Sequence, residues 1–160
     1  MTRRRLAAAP VVALALLAGA LTILPAEAAK PRESARYAGK TRQGYKIALR
    51  TSADGKRIKR LKVSFDITCR RRRDNLTSVR RSKFKMTENS IKIHADGSFN
   101  GSIKVRRSGY EVRGGRVNLN GHFHSRRRAG GTVQERLRLA EGLRCNSGDI
   151  NFTARFKRRR

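Results

Sequence analysis

A chain of 160 residues with 40 basic and 11 acidic side chains has room for one domain and carries a formal net charge of +29. A charge of this size strains the folded state by self-repulsion and makes contact with polyanions almost unavoidable at low salt. Of the basic residues, 29 are Arg. This excess indicates either recognition of phosphate, sulfate or carboxylate by guanidinium groups, or a coding bias with the charges spread over solvated faces.

The first 28 residues predict a secretory signal helix. Arg3–Arg5 form a positive start, Leu6–Leu24 carries no charge, and Ala26-Glu27-Ala28 is the small-x-small pattern that a signal peptidase cuts. We therefore expect cleavage after Ala28 and a secreted, extracellular protein. Cleavage removes three cations and one carboxylate, so 132 residues with a net charge of +27 remain.

Two alternatives to this route stay open. The uncharged stretch has 19 residues, close to the ~20 that span a bilayer, so an uncleaved anchor that holds the domain on the outer side of the membrane is one of them. Thr2–Leu6 also overlaps the twin-arginine export pattern. Twin-arginine substrates fold before export in a reducing compartment, which suits a disulfide protein poorly, so the general secretory route fits better.

After the signal peptide the chain divides into three parts. Residues 29–36 are charged and contain a proline without periodicity, which predicts a short flexible lead-in. Residues 37–156 alternate between apolar and polar side chains almost throughout, which predicts one β domain. Residues 157–160 are all basic and are expected to form a frayed tail.

Strand signals follow one another along the β domain. The clearest strand is Leu61–Cys69, where apolar residues alternate with polar ones and Cys69 points into the core. Gly-containing turns are expected at Ala53–Lys56 and at Asp96-Gly97, the second inside a hairpin. The other alternating runs are Tyr45–Thr51, Phe99–Val105, Val117–Phe123, Val133–Leu139 and Ile150–Phe156.

Seven to nine short strands with turn signals between them predict an antiparallel β-sandwich, with a small β-barrel as the alternative. Cys69 and Cys145 are predicted to form a disulfide that pins the two sheets together. Closing the loop of 76 positions between these two residues stabilises a fold by about 4 kcal/mol on the chain-entropy estimate. The close Cys-x-x-Cys spacing that a redox or metal site requires is absent.

Short motifs carry a resemblance to a known group of proteins. They are Arg36–Thr41 (RYAGKT), Gly130–Val133 (GGTV), and Cys145–Gly148 (CNSG) ahead of Phe152–Arg155 (FTAR). On these motifs the chain resembles small secreted proteins of high-GC Gram-positive bacteria, in which a signal peptide leads into an Arg- and Gly-rich β domain with two Cys. The resemblance spans most of residues 36–156. It implies export and a β fold, and it implies no catalytic residue because the group has no established activity.

Candidates for catalysis or metal binding are few. Glu135 falls on the predicted apolar face of its strand, which indicates a register shift, a bulge or an edge strand more readily than a buried functional carboxylate. His122 and His124 share one strand face; they form either a solvent-facing pair or, with His94, a metal site. Because no Gly-x-Ser-x-Gly elbow or nucleotide-binding loop is present, we expect neither metal nor cofactor and rank an enzyme last.

The predicted ligand contacts are Arg clusters in the loops between strands. Loops at one end of a β domain can converge, so these clusters are expected to bind polyanions together if they share one face. The candidate residues are Arg70, Arg71, Arg72, Arg73, Arg80, Arg81, Arg106, Arg107, Arg126, Arg127 and Arg128.

The function class that follows is an exported basic β domain that binds anionic surface polymers or an anionic membrane surface, or that has a structural role. A secreted enzyme or inhibitor whose site is not visible as a motif is the first alternative. A cleft that groups Glu135, His122 and His124 would favour it. The oligomeric state stays open.

An extracellular nucleic-acid binder is the second alternative, and it needs exposed aromatic rings beside the basic residues. Most aromatic residues fall at inward positions of the predicted strands, which leaves Tyr37, Tyr45 and Tyr110 as candidate platforms. Nucleic acid is therefore expected to bind only non-specifically, through its phosphates.

Overall fold

The structure is a computed structural model, and it describes residues 30–71, 73, 77–86, 90–105 and 112–158. The predicted signal peptide lies outside these residues. The described chain is all-β, with ten strands and one 3-10 turn at Ala140–Gly142. The strands are β1 (Arg36–Thr41), β2 (Lys46–Thr51), β3 (Arg57–Arg71), β4 (Thr77–Met86), β5 (Ile91–Lys92), β6 (Ser98–Lys104), β7 (Val112–Ser125), β8 (Arg128–Leu139), β9 (Leu143–Asn146) and β10 (Ile150–Lys157).

Six of the strands close into an antiparallel barrel. Around the ring the order is β10, β1, β2, β3, β9 and β8, and β8 pairs with β10 to complete it. Strands β4 and β5 add to the free side of β3, and β7 and β6 continue outward from β8. The all-β prediction is thus confirmed, and the architecture is the barrel alternative. The predicted sandwich is not confirmed.

Alternation of apolar and polar side chains determines which face of each strand lines the barrel. On β3 the apolar residues of Leu61–Cys69 are buried, and the intervening polar positions are exposed or half-buried. This confirms the strand and the inward direction of Cys69. Within the described residues no helix has the length and hydropathy that crossing a bilayer requires.

The predicted disulfide joins Cys69 to Cys145. The two residues face each other directly in the pairing of β3 with β9, so the bond connects neighbouring strands of one barrel and does not pin two stacked sheets. Strand β9 has only four residues, and it closes the ring between β3 and β8. The disulfide therefore anchors the shortest strand of the barrel.

The described part of the lead-in makes contacts that the sequence pattern does not predict. The Arg32 amide donates to the Tyr37 hydroxyl at 2.9 Å, and that hydroxyl donates to the Arg126 carbonyl at 2.9 Å. Ala35 is buried, and its amide donates to the Thr51 hydroxyl at 2.9 Å. Tyr37 is fully buried, so it is no exposed platform, and desolvation raises its pKa.

Replacing both Cys69 and Cys145 with Ser is expected to lower the free energy of unfolding by about 4 kcal/mol, since the open chain regains the entropy of a loop spanning 76 positions. Urea titrations of the oxidised protein and the double variant at the same salt concentration measure the difference. Reductant should move the midpoint of the wild type toward that of the variant and leave the variant unchanged. Equal midpoints without reductant would contradict the structural role of the bond.

Gly39→Ala is expected to destabilise the barrel by at least about 1–3 kcal/mol because β1 and β10 approach too closely for a side chain there. A Cβ at Gly39 would lie 1.8 Å from the Thr153 carbonyl oxygen. Gly114→Ala is the matched control, since a Cβ at Gly114 meets no atom within 4 Å. Thermal unfolding compares the two variants, and similar melting temperatures would count against the close approach.

Candidate polyanion-binding groove

Cations face cations directly across several neighbouring strands. Arg116 on β7 lies between Lys104 on β6 and Arg136 on β8, which forms one row of three opposed cations. Directly opposed side chains in antiparallel pairs have their Cβ atoms about 4.5–5.5 Å apart, and like charges at such positions repel one another.

A parallel row of three cations runs beside this one. Arg144 on β9 lies between Arg138 on β8 and Arg70 on β3. Arg136 and Arg138 are alternate residues of β8, so the two rows sit about 7 Å apart along that strand. The two rows therefore form one basic field across five adjoining strands, in the order β3, β9, β8, β7 and β6.

A groove of about 1080 Å³ lies over this field. We call it the basic groove. Its lining is Lys104, Val105, Val112, Arg113, Gly114, Gly115, Arg116, Asn118, Arg136, Leu137, Arg138, Arg144, Cys145 and Asn146. Six of these described residues are cations and none is a carboxylate, so every charged side chain among them is positive.

The strands, and not the loops, position the groove cations. Along β8 and β9 the inward residues Leu137 and Cys145 are buried, while Arg136, Arg138 and Arg144 are exposed. The disulfide at Cys145 holds the strand that carries Arg144 against β3. The barrel core and the disulfide thus fix the spacing of the charges that a ligand would meet.

The predicted Arg clusters do not form one patch. Arg70 and Arg73 lie at or beyond the end of β3, beside the groove, whereas Arg126–Arg128 lie at the start of β8. The eight steps along the chain from Arg128 to Arg136 span about 27 Å in extended conformation, so the β7–β8 turn is at the opposite end of the barrel from the groove. Arg72, Arg106 and Arg107 lie outside the described residues.

Three predicted contacts on the β3–β4 hairpin differ in availability. Arg71 is half-buried and Arg80 is exposed. Arg81 is engaged already: its Nε lies 3.6 Å from Asp66 Oδ1, and its Nη2 donates to the Tyr45 hydroxyl at 2.7 Å. Its guanidinium also lies 4.4 Å from the Tyr45 ring centroid. Arg81 is therefore less available to contact a ligand than its exposure suggests.

The groove cations on the strands were missed by sequence reasoning because they are dispersed along the chain. None of Lys104, Arg116, Arg136, Arg138 and Arg144 is next to another cation in the chain, whereas most of the predicted contacts are runs of adjacent Arg residues in loops. The available signal was the polar phase of the alternating strands, where positions 136 and 138 are both Arg. Pairing of distant strands then makes these positions adjacent.

Glu135 does not sit at a register shift, a bulge or an edge. It faces inward opposite Val117 in regular pairing and is fully buried. Its amide donates to the Ser147 hydroxyl at 2.8 Å, and its carbonyl accepts from the Ser147 amide at 3.0 Å. The preferred interpretation of this residue was wrong, because a carboxylate does occupy the barrel interior beside the break between β9 and β10.

The cleft that would favour an enzyme is not formed by the residues proposed for it. Glu135 lies inside the barrel, whereas His122 is half-buried and His124 exposed on the other phase of β7. Their rings are 5.4 Å apart, and His122 Nε2 donates to the Asp96 carbonyl at 2.6 Å. Among the described residues no group of three or more His, Cys, Asp or Glu is placed to hold a metal ion.

No described aromatic ring offers a free stacking platform on the surface. Tyr45 and Phe156 are the partly buried rings, and each carries a guanidinium: Arg81 over Tyr45 and Arg32 over Phe156, the latter at 4.7 Å. Tyr110 lies outside the described residues. The described surface therefore lacks the exposed rings that base stacking requires.

The fold and the groove define a class of protein, a small disulfide-bonded β-barrel with a basic groove on its outer surface. Comparison with known proteins assigns no family, because no protein-family model, curated protein or solved structure matches the chain. The resemblance to small secreted two-cysteine proteins stays a prediction.

Arg116→Gln is expected to raise the free energy of unfolding by about 0.5–1 kcal/mol at low salt, because it removes a cation opposed to two others. The gain should vanish near 1 M NaCl, where the Debye length falls to about 3 Å. Urea titrations at both salt concentrations measure it. Arg42→Gln, in a turn outside the paired strands, is the control and should change stability little. A loss of stability in Arg116→Gln at low salt would contradict repulsion in the row.

Proposed function

We propose that this protein binds linear anionic polymers that carry phosphate or sulfate groups, and that the basic groove is the binding site. One observation supports the proposal above all others: five of the six cations in two adjacent rows of directly opposed cations line a groove with no carboxylate among its described lining residues. Such an arrangement raises the energy of the free protein, and a polyanion in the groove relieves it.

The groove chemistry favours tetrahedral oxyanions. Five of its six cations are Arg, whose planar guanidinium donates two parallel hydrogen bonds to phosphate or sulfate. Binding releases the counterions that surround the polymer, so affinity is expected to fall steeply with salt.

The shape of the site favours a polymer chain over a membrane. Its cations line a concave groove that extends across β6, β7, β8 and β9, which suits an extended chain better than a flat array of head groups. We place this activity outside the cell, in keeping with the predicted signal peptide. A disulfide persists most readily in an oxidising compartment, which supports that placement.

The test compares binding of sodium polyphosphate and dextran sulfate by the wild type and by Arg116→Gln/Arg136→Gln/Arg138→Gln across a range of NaCl concentrations. The variant is expected to bind more weakly, and the slope of log affinity against log salt should fall by about three, one for each lost contact. Lys30→Gln/Lys56→Gln/Lys83→Gln is the matched control, because it removes the same charge from exposed positions outside the groove, and Lys83 faces Ser64 and no cation.

Two outcomes would overturn the proposal. Equal losses of affinity in the groove variant and the lysine control would show that net charge, and not the groove, determines binding. Groove-dependent binding to vesicles of phosphatidylglycerol that exceeds binding to both polymers would show that a membrane surface is the ligand.

A further inference from the structure

Outside the groove, another row of opposed cations crosses the barrel. Arg36 on β1 lies between Lys157 on β10 and Arg50 on β2, and Arg50 in turn faces Arg60 on β3. We call these four residues the second row. Arg36, Arg60 and Lys157 are exposed and Arg50 is half-buried, so their charges are accessible from solvent.

The second row and the groove lie on opposite sides of the ring. In the order β10, β1, β2, β3, β9 and β8, strand β1 is three strands from β9 in either direction, and β2 is three strands from β8. The second row is centred on β1 and β2, whereas the groove is walled by β8 and β9 together with β7. The two sets of cations therefore face away from each other.

The two sites also differ in height along the barrel. Arg36 pairs with Lys157, and the neighbouring Arg155 pairs with Arg128 at the start of β8. The groove cations Arg136 and Arg138 lie toward the other end of β8, about 27 Å and about 33 Å from Arg128 in extended chain. A short anionic segment that fills the groove cannot reach the second row.

The second row shares the feature that marks the groove. Each of its cations is opposed directly by another cation, and no carboxylate occupies a position in it. Elsewhere on the sheet the half-buried Asp66 of β3 is paired with Arg81 of β4, so an ion pair across strands is compatible with this fold. The row is thus a second place where a polyanion would relieve repulsion between fixed charges.

From this arrangement we propose that the protein cross-links anionic polymers, with one chain held in the groove and another segment or chain held on the second row. The inference rests on the proposed function, since both sites take the same phosphate- or sulfate-bearing ligand. Two sites on opposite faces join separate polymer chains, and their combined attachment gains from multivalency.

Light scattering from mixtures of the oxidised protein with long-chain polyphosphate tests the proposal. Scattering is expected to rise, pass a maximum at an intermediate ratio, and fall in excess protein, where each polymer segment has its own protein molecule. Calorimetry with a short oligophosphate should resolve two sites on the wild type and one on Arg36→Gln/Arg50→Gln/Arg60→Gln. That variant should keep groove affinity within about twofold yet lose most of the scattering.

The control is again Lys30→Gln/Lys56→Gln/Lys83→Gln, which removes equal charge from positions outside both the groove and the second row and should still cross-link. Thermal unfolding checks each variant, and loss of opposed cations is expected to preserve or raise stability. If the second-row variant scatters like the wild type, the second row is not a cross-linking site. If the wild type binds polyphosphate without scattering, cross-linking fails while the proposed function stands. If it binds no polymer, the proposed function fails as well.

Discussion

Arg116 lies between Lys104 and Arg136, and Arg36 lies in the same way between Lys157 and Arg50. Each directly opposed pair of cations costs the folded state a few tenths of a kcal/mol to about 1 kcal/mol at low salt. The outward faces of most strands carry such pairs, so repulsion on the surface destabilises the folded state. The stability of the fold must then come from the buried inward faces of the strands and from the disulfide.

Three features of the barrel supply this stability. The interior holds one continuous cluster of buried apolar side chains that draws on nearly every strand. The disulfide fixes β9, the strand with the fewest residues of the closed ring, to β3. Tyr37 joins the described lead-in to the β7–β8 turn through its hydroxyl, and its ring packs edge-on against Phe123 at 5.1 Å. Together these contacts hold like charges at short distances.

The same repulsion distinguishes the candidate site from the predicted loop clusters. A flexible loop of Arg residues can move its charges apart, whereas Arg136 and Arg138 are held by the pairing of β8 with both of its neighbours. Cations on paired strands lose little backbone freedom on binding, and a bound polyanion removes a cost that already exists in the free protein. The predicted loop clusters lack this property, and Arg81 among them is held by Asp66 and Tyr45.

The amino-acid sequence by itself determined the all-β class, the inward face of Leu61–Cys69 and the pairing of the two cysteines. These follow from local alternation and from a count of two thiols. Only the tertiary structure decided that the strands close into a barrel, because closure depends on β10 pairing with both β1 and β8. It also decided that Glu135 is inside and that distant Arg residues meet in one groove. Cross-strand register makes neighbours of residues far apart in the chain, and no local pattern encodes that register.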